Sequence, residues 1–322
     1  MMSPTFHEIS LDEFGPKEIR DTVNKRKRKK VWGIIFTCLA TRAMHLDVTE
    51  DYGAESVIET VRKFTSLRGT PAKIHSDKGS QLMNAADELK AWALNRKIEW
   101  VQVPAEGHHQ NGTSEALIKS VKRSLTHVIG SNVLTFSGLQ MVFYEVADLL
   151  NSRPIGIISG SDPTQPTAIT PNHLLLGRST SEVVIGSFDN SKNPNKRYKF
   201  LQSIVDDWWK TWYQQVLPSL VPSYKWLQRH RNVQPGDVCL IRYKGDLKGR
   251  YRLGRVKSVK LGVDGSVRTV TLLYKNPNEK TFREVDRSVH GIAVIVPIEE
   301  QSQFIASGLN PDARVFEPET HS

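Results

Sequence analysis

Along the first 160 residues, apolar positions change repeatedly between the alternating spacing of strands and the three-to-four-residue spacing of helices. Residues 6–12 alternate, residues 31–39 are strongly apolar, and residues 43–48 are a third strand candidate. We expect these to form an antiparallel meander with the second strand central. The elements predicted after them are a helix at 54–66, a strand at 71–76, a helix at 87–96, a strand at 98–101 and an amphipathic helix at 114–129.

This order predicts an α/β fold of the ribonuclease-H-like type, with a mixed sheet flanked by helices, over residues 1–160. Residues 161–195 are predicted to be a linker. The stretches 159–165 and 187–195 are rich in Ser, Asn, Asp, Gly and Pro, which bury too little surface to order themselves. A compact apolar patch at 170–177 lies between these two stretches.

A second domain is predicted at residues 196–300. It begins with a helix at 197–217 whose tryptophans have helical spacing, so we expect them to pack against the following strands rather than stack on bases. Four or five short strands then predict a small β-barrel of the SH3-like type. The strands are expected at 238–243, 254–260, 267–273 and 293–296, and residues 301–322 are expected to be a disordered tail.

The distribution of charge along the chain indicates the kind of partner the protein binds. The chain has a formal net charge of +10, and residues 195–300 hold 20 Lys and Arg against 10 Asp and Glu, which is the whole surplus. A basic domain favours a polyanionic partner, most commonly nucleic acid. The barrel side chains expected to contact the DNA backbone are Arg242, Lys244, Lys248, Arg250, Arg252, Arg255 and Lys257.

Several classes of protein are excluded by composition. The two cysteines, Cys38 and Cys239, lie far apart, which argues against a disulfide framework or a Cys-rich zinc site and suits a reducing compartment. The apolar runs are too short for a membrane-spanning helix, and residues 1–14 lack the pattern of a secretory signal. We therefore expect no membrane partner.

Three acidic residues occupy positions suited to metal-dependent chemistry. Asp12 is expected at the end of the first strand, Asp77 just past another strand, and Glu115 in the first turn of the long helix. Phosphoryl transfer by two divalent ions needs several such carboxylates, and hard oxygen ligands suit Mg²⁺ or Mn²⁺. Glu13 and Asp21 are alternatives to Asp12, and each carboxylate taken alone is also compatible with a turn or helix-end role.

The chain resembles the integrases of retroviruses and LTR retrotransposons, which carry two aspartates and a glutamate in this order. In this chain 37 residues separate Asp77 from Glu115, which is similar to the spacing in that family. The resemblance is in particular to integrases of Pao/BEL-type elements. It is carried by KVWGIIFTCLATRAMHL (30–46), SDKGS (76–80), SEALIKSVKR (114–123), LNSRP (150–154), TPNHLLLGR (170–178), QPGDV (234–238) and LGRV (253–256).

The resemblance implies that Asp12, Asp77 and Glu115 bind two Mg²⁺ or Mn²⁺ ions. It also implies a polynucleotidyl transferase that integrates DNA by 3′-end processing and strand transfer, acting on element ends and target DNA as a homo-multimer in the nucleus. The chain starts at the first catalytic strand, without the zinc-binding domain that the resemblance would place upstream. This leaves open a decayed or domesticated copy that binds DNA without catalysis.

Basic residues near the carboxylates extend the predicted site. Lys119 and Lys122 follow Glu115 by four and seven residues and so share its helix face. The resemblance implies that they contact DNA, and the alternative is a solvated face with an ordinary Glu–Lys pair. Lys78 stands where many relatives have Asn, so it is expected to contact phosphate or to weaken metal binding by repulsion. Ser114 replaces a frequent aromatic residue.

Two further segments carry open interpretations. Residues 107–112, with His108 and His109 between two glycines, resemble the flexible active-site loop of integrases, and a zinc site there is not expected. Residues 25–30 are six consecutive basic residues. They are compatible with a nuclear-import signal, a phosphate-binding loop or a solvated hairpin loop.

Overall fold

The computed structural model describes two compact parts of the chain. Unit 1 comprises Met1–Arg153, Thr170–Leu217 and Gly245–Arg250, and unit 2 comprises Pro154–Ile169, Pro218–Lys244 and Tyr251–Ser322. Side chains at positions 77, 86, 103, 112–116, 196, 197, 214 and 215 are not described. The described residues are 4–24, 26–51, 53–77, 86–103, 112–130, 132–157, 168–178, 196–215, 231–242, 248–263, 265–275, 279 and 281–301.

Unit 1 is built on a mixed sheet with the strand order β3-β2-β1-β4-β5. The strands are β1 (Glu8–Arg20), β2 (Arg28–Cys38), β3 (Met44–Thr49), β4 (Lys73–Asp77), β5 (Glu99–Val103) and the short β6 (Leu134–Thr135). β1, β2 and β3 pair antiparallel, which confirms the predicted meander, whereas β4 and β6 pair parallel with β1 and β5 pairs parallel with β4.

Six helices lie in the described part of unit 1, and most of them lie where the apolar spacing predicted them. They are α1 (Ala54–Arg68), α2 (Ala86–Leu94), α3 (Gly112–Ile129), α4 (Phe136–Asn151), α5 (Pro171–Leu176) and α6 (Lys196–Gln215). Helix α4 was missed, although Leu139, Val142, Phe143 and Val146 are buried at helical spacing. Thr135 caps this helix by accepting a hydrogen bond from the Gly138 amide.

The sheet has an apolar core on each face. On one face Phe36 stacks on Phe64 of α1, with ring centroids 4.3 Å apart. On the other face Phe14 contacts Phe143 of α4, with centroids 5.6 Å apart. Phe14 also lies across from Gly33 on β2, where an added Cβ would come within 2.3 Å of the Phe14 ring. Gly33 therefore makes room for the aromatic contact between sheet and helix.

Strand β1 is longer than the sequence predicts. It continues to Arg20, so Asp12 lies inside the strand, and the prediction that the strand ends at Asp12 is wrong. The β1–β2 register shifts between Phe14 and Lys17, and this irregularity takes up Gly15 and Pro16. Because proline has no amide hydrogen to donate, it interrupts the ladder locally, and the strand resumes beyond it.

Unit 2 contains an antiparallel five-stranded sheet in the order β12-β11-β10-β9-β13. A 3-10 turn at Val289–Gly291 precedes the last strand. Within the described residues the two edge strands, β12 and β13, do not pair with each other, so the sheet is open and no closed barrel is found there. The strands are β9 (Val238–Ile241), β10 (Leu253–Leu261), β11 (Val267–Tyr274), β12 (Arg283–Ser288) and β13 (Ile292–Val296), and a separate pair consists of β7 (Gly156–Ile157) and β8 (Ala168–Ile169).

The predicted linker lies mostly outside the described residues, and the predicted tail lies outside them from 302 onward. The apolar patch at 170–177 is α5, which Thr170 begins with a capping box and Gly177 ends in a left-handed conformation. None of the helices in the described part of the chain combines the length and apolar character needed to cross a membrane.

Candidate functional site

Strand pairing brings two of the predicted carboxylate positions together. β1 and β4 run parallel, and Leu11 pairs with Ser76. Asp12 and Asp77 each come one residue later, so their Cα atoms are separated by roughly the 5 Å spacing of neighbouring strands. The side chain of Asp77 lies outside the described part of the structure, so this adjacency is one of backbone positions.

β4 is also held in place by β5, its neighbour on the side away from β1. Ser76 is buried, and its hydroxyl accepts a 2.9 Å hydrogen bond from the indole nitrogen of Trp100 on β5. Ile74, two residues earlier, is fully buried in the core beneath α1 and α2. The strand that ends at Asp77 is therefore held between β1 and β5 by both packing and hydrogen bonding.

Helix α3 directs a charged face toward Asp12. Lys122 forms an ion pair with the Asp12 carboxylate, and its Nζ also donates a 2.8 Å hydrogen bond to the Glu13 carbonyl oxygen. Glu115 lies on the same helix, seven residues or about 10 Å of helix rise before Lys122, on the face that Lys122 shares. The Glu115 side chain is outside the described set.

An adjoining face of α3 holds the helix on the protein. The amphipathic spacing of this helix predicts an apolar face, and its residues Ile118, Val121 and Leu125 are buried. Ser124 is also buried, and its hydroxyl accepts a 2.9 Å hydrogen bond from the indole nitrogen of Trp208 on α6. The helix that carries Glu115 and Lys122 is thus held in place by its buried apolar face and by the hydrogen bond to α6.

The two alternatives to Asp12 occupy different environments. Glu13 is the next residue along the strand, so its side chain projects to the other face of the sheet. Asp21 follows the end of β1 and accepts hydrogen bonds from the Val23 and Asn24 amides, which lower the pKa of its carboxyl. Asp21 is therefore a turn residue. Of the three, Asp12 is the one that both lies beside Asp77 in the sheet and pairs with Lys122 on α3.

The residue types fit a divalent-metal site. Among the described side chains no group of three or more His, Cys, Asp and Glu is arranged to hold a metal, a set that omits Asp77 and Glu115. Asp12, Asp77 and Glu115 would supply only carboxylate oxygens, the donors that Mg²⁺ and Mn²⁺ prefer. The register of β1 and β4 places two of these donors at adjacent backbone positions.

The predicted DNA-contacting residues have different surroundings. Lys119 and Arg242 are exposed and Arg250 is half-buried, whereas Lys78 and Lys244 lie outside the described residues. Arg252 lies over the Tyr274 ring, 5.2 Å from its centroid. Arg255 is half-buried, and its guanidinium donates to the Gly236 carbonyl oxygen at 2.8 Å and to Gln301 at 2.9 Å.

Lys248 is engaged within unit 1 rather than displayed on the five-stranded sheet. Its side chain is only 7% exposed, and its Nζ lies 2.7 Å from an Asp206 oxygen and 3.1 Å from the Gln202 amide oxygen. Gln202 in turn donates to Glu145 of α4. Burial raises the pKa of Glu145, and the neighbouring Lys248 opposes that rise. Two nearby acids thus hold this lysine inside the protein.

Two features of unit 1 were not recognised in the sequence. The tryptophans of α6 are buried as predicted, and Trp208 donates a hydrogen bond to Ser124 of α3, a partner within unit 1 that was not predicted from the sequence. On β3, His45 and Asp47 are buried among apolar neighbours. The signal for this second feature was available, because polar and apolar residues alternate along Met44–Thr49.

The polar cluster on β3 has a distinctive electrostatic environment. Asp47 accepts hydrogen bonds from Gln140 at 2.9 Å and from Tyr144 at 3.3 Å. His45 packs among the rings of Phe36, Phe64 and Tyr144. Burial, aided by the positive charge of Arg68, lowers the pKa of His45 to about 4. This histidine is therefore neutral at physiological pH, and the cluster lies apart from the carboxylate positions.

Comparisons with known proteins give weak similarities. Residues 196–294 match a family of unknown function (DUF5641), which is too little of the chain to assign the whole to that family. No curated protein matches the chain. The solved structures that resemble it have low identities and TM-scores, so the candidate site rests on the strand register and helix contacts described above.

Three of these structures are integrases. The catalytic core domain of HTLV-2 integrase in complex with magnesium is 14% identical, with a TM-score of 0.33, over 49% of this chain and 92% of that one. The catalytic core domain of BIV integrase is 16% identical, with a TM-score of 0.37, over 53% and 95%. The simian T-cell lymphotropic virus intasome in complex with PP2A regulatory subunit B56 gamma is 9% identical, with a TM-score of 0.37, over 91% and 80%.

Proposed function

We propose that this protein is a metal-dependent polynucleotidyl transferase that integrates DNA, joining the ends of a Pao/BEL-type retrotransposon to target DNA. The observation that carries the proposal is the pairing of Leu11 with Ser76, which sets Asp12 beside Asp77. Lys122 contacts Asp12 and shares a helix face with Glu115, so that face of α3 lies toward the strand that carries Asp12. These are three acidic positions, distant in sequence, on elements that meet.

In this proposal Asp12, Asp77 and Glu115 bind two Mg²⁺ or Mn²⁺ ions. When bound, such a pair activates a water or a DNA 3′-hydroxyl and stabilises the leaving oxygen. The chain's own contribution is to hold the carboxylates at fixed positions and to orient the DNA end. The buried Ser76–Trp100 and Ser124–Trp208 hydrogen bonds support that rigidity on the two sides of the site.

Basic side chains would hold the DNA by its phosphates. Lys119, exposed on the α3 face, is suited to the end being processed, and Lys78 is proposed as a further phosphate contact. In unit 2, whose strands we propose to form an SH3-like fold, the contacts would come from Arg242, Lys244, Arg252 and Arg255. Arg250, which belongs to unit 1, is a further proposed contact. Such contacts position DNA and carry little sequence information. A nuclear location and a homo-multimeric assembly belong to the same proposal.

The test is a DNA-nicking and strand-transfer assay with Mn²⁺ on blunt duplex ends. Wild-type protein is compared with Asp77→Asn and Glu115→Gln, and Asp21→Asn serves as a control that changes a carboxylate in a turn. We expect activity in wild type and Asp21→Asn, and a loss of at least about a hundredfold in the other two. Equal activity in all four rejects the assignment. DNA binding without activity in any of them indicates a decayed or domesticated DNA-binding protein.

A further inference from the structure

Lys122, which would bind DNA, contacts Asp12, which would bind metal. The Lys122 ammonium pairs with the Asp12 carboxylate and donates to the Glu13 carbonyl oxygen 2.8 Å away. The two side chains are 24% and 27% exposed, so the pair is partly shielded from water. In this arrangement the Lys122 ammonium is paired with Asp12 rather than with a phosphate.

We propose that Lys122 is an internal counter-ion that occupies Asp12 before a divalent cation binds and is displaced when the cation is loaded. The inference rests on the proposed function, and it adds a coupling between metal binding and DNA binding at that site. Displacement frees an ammonium on the helix face that also carries Glu115 and Lys119. Phosphate is the chemistry that such a released ammonium would recognise.

The physical reason is competition for one carboxylate. An ammonium has three hydrogen-bond donors, and the Asp12 carboxylate and the Glu13 carbonyl supply two acceptors for it on β1. A divalent cation on Asp12 would repel the ammonium at short range in a partly desolvated site. The long, flexible lysine side chain can leave without movement of α3, because the helix backbone is held by the buried residues Val121 and Ser124.

Thermodynamic linkage then requires the effect to be mutual. If cation binding releases Lys122 for phosphate, DNA binding must in turn favour cation binding by the same factor. The site would therefore have weak cation affinity when empty of DNA and higher affinity with a DNA end in place. Lys119, one turn earlier on the same face, is exposed and would bind phosphate without this coupling.

The first measurement is Mn²⁺ titration calorimetry on the full chain without DNA. Lys122→Met should bind Mn²⁺ about three- to tenfold more tightly than wild type, because the competing ammonium is gone. Arg123→Met removes one positive charge from the next position of α3, where the side chain is exposed, and should stay within about twofold of wild type. Lys122→Gln, with circular dichroism as a folding check, provides a second variant.

The second measurement is fluorescence anisotropy with a duplex ending in a 3′-dideoxynucleotide, in Mn²⁺ and in EDTA. Wild type should gain more DNA affinity from Mn²⁺ than Lys122→Met does. Equal Mn²⁺ affinities in wild type and both Lys122 variants would overturn the counter-ion proposal, as would equal gains in DNA affinity. Asp12→Asn separates the two hypotheses, since Mn²⁺ binding that does not depend on Asp12 would instead contradict the proposed function.

Discussion

Trp208 donates a 2.9 Å hydrogen bond from its indole nitrogen to the hydroxyl of Ser124, and both side chains are buried. The contact joins α6 to α3, only two residues beyond Lys122. Trp208 also stacks on Trp212, with ring centroids 5.3 Å apart. The aromatic side chains of α6 thus belong to the core that supports α3, the helix that carries Glu115 and Lys122.

The first prediction distinguishes the stability contributed by the Trp208 hydrogen bond from the stability contributed by the volume of its side chain. Trp208→Phe keeps an aromatic ring but leaves the buried Ser124 hydroxyl without its donor, so we expect a loss of about 1–3 kcal/mol in the free energy of unfolding. Trp208→Ala should cost about 3–5 kcal/mol, because it also opens a cavity. Urea unfolding followed by circular dichroism measures both, with exposed Ser203→Ala as the control. A Trp208→Phe protein as stable as wild type would contradict the role given to the bond.

Local spacing predicted most elements of unit 1, although not α4, because many of its helices bury one regular face. The stripe formed by Ile118, Val121 and Leu125 on α3 is an example. Spacing does not specify which surface an apolar face will meet. The tryptophans of α6 were therefore correctly predicted to be buried, while their partner, Ser124 of α3, was not foreseen.

The adjacency of Asp12 and Asp77 was predicted through a resemblance and not from periodicity. Strand pairing is non-local, and nothing within either segment encodes the Leu11–Ser76 register. The extent of β1 was underestimated because Gly15 and Pro16 look like a strand end, whereas a register shift absorbs them. Strand β12 was missed because it is an edge strand with mostly charged residues, where few positions need to be apolar.

The second prediction concerns acid sensitivity at His45. The folded-state pKa of about 4 lies below the unfolded value near 6.5, so the unfolded chain takes up a proton first as pH falls. His45 thus contributes full stability above about pH 6.5 and loses it down to about pH 4, a change on the order of 3 kcal/mol. We expect His45→Gln to flatten the dependence of unfolding free energy on pH in this window.

The control for His45 is an exposed residue of unit 1 that does not titrate. Ser203 on α6 is exposed, and Ser203→Ala should leave the slope of stability against pH as it is in wild type. Chemical unfolding at closely spaced pH values between 4 and 7 gives the slopes directly. If His45→Gln retained the wild-type slope, the acid sensitivity would have to come from other groups.

The third prediction concerns the Arg231–Asp237 pair of unit 2. The Asp237 side chain is fully buried and receives two 2.7 Å hydrogen bonds from Arg231, plus bonds from the Gln234 and Ile298 amides. Burial would raise the pKa of Asp237, but these bonds outweigh burial and lower it. The carboxylate thus ties the chain before β9 to the chain after β13, and its stabilising effect is lost as pH falls through its pKa.

Asp237→Asn should therefore destabilise unit 2 by about 2–4 kcal/mol, because Arg231 loses a buried partner. Glu299 also pairs with Arg231 but is half exposed, so Glu299→Gln should cause a much smaller loss. Amide hydrogen exchange can follow β9 and β13 specifically. Comparable effects of the two substitutions would show that burial is not what makes the Asp237 contact strong.

The fourth prediction tests the position of Lys248 against its expected role in DNA binding. Because its ammonium is buried between Asp206 and Gln202, Lys248→Met should lower the free energy of unfolding by about 2–4 kcal/mol and leave duplex affinity nearly unchanged. Arg242→Met, at an exposed position, should show the reverse: little effect on stability and weaker, less salt-dependent DNA binding. Anisotropy titrations across a salt series, paired with urea unfolding, distinguish the two patterns. A Lys248→Met protein that kept its stability but lost DNA affinity would mean that this lysine leaves its buried site to contact phosphate.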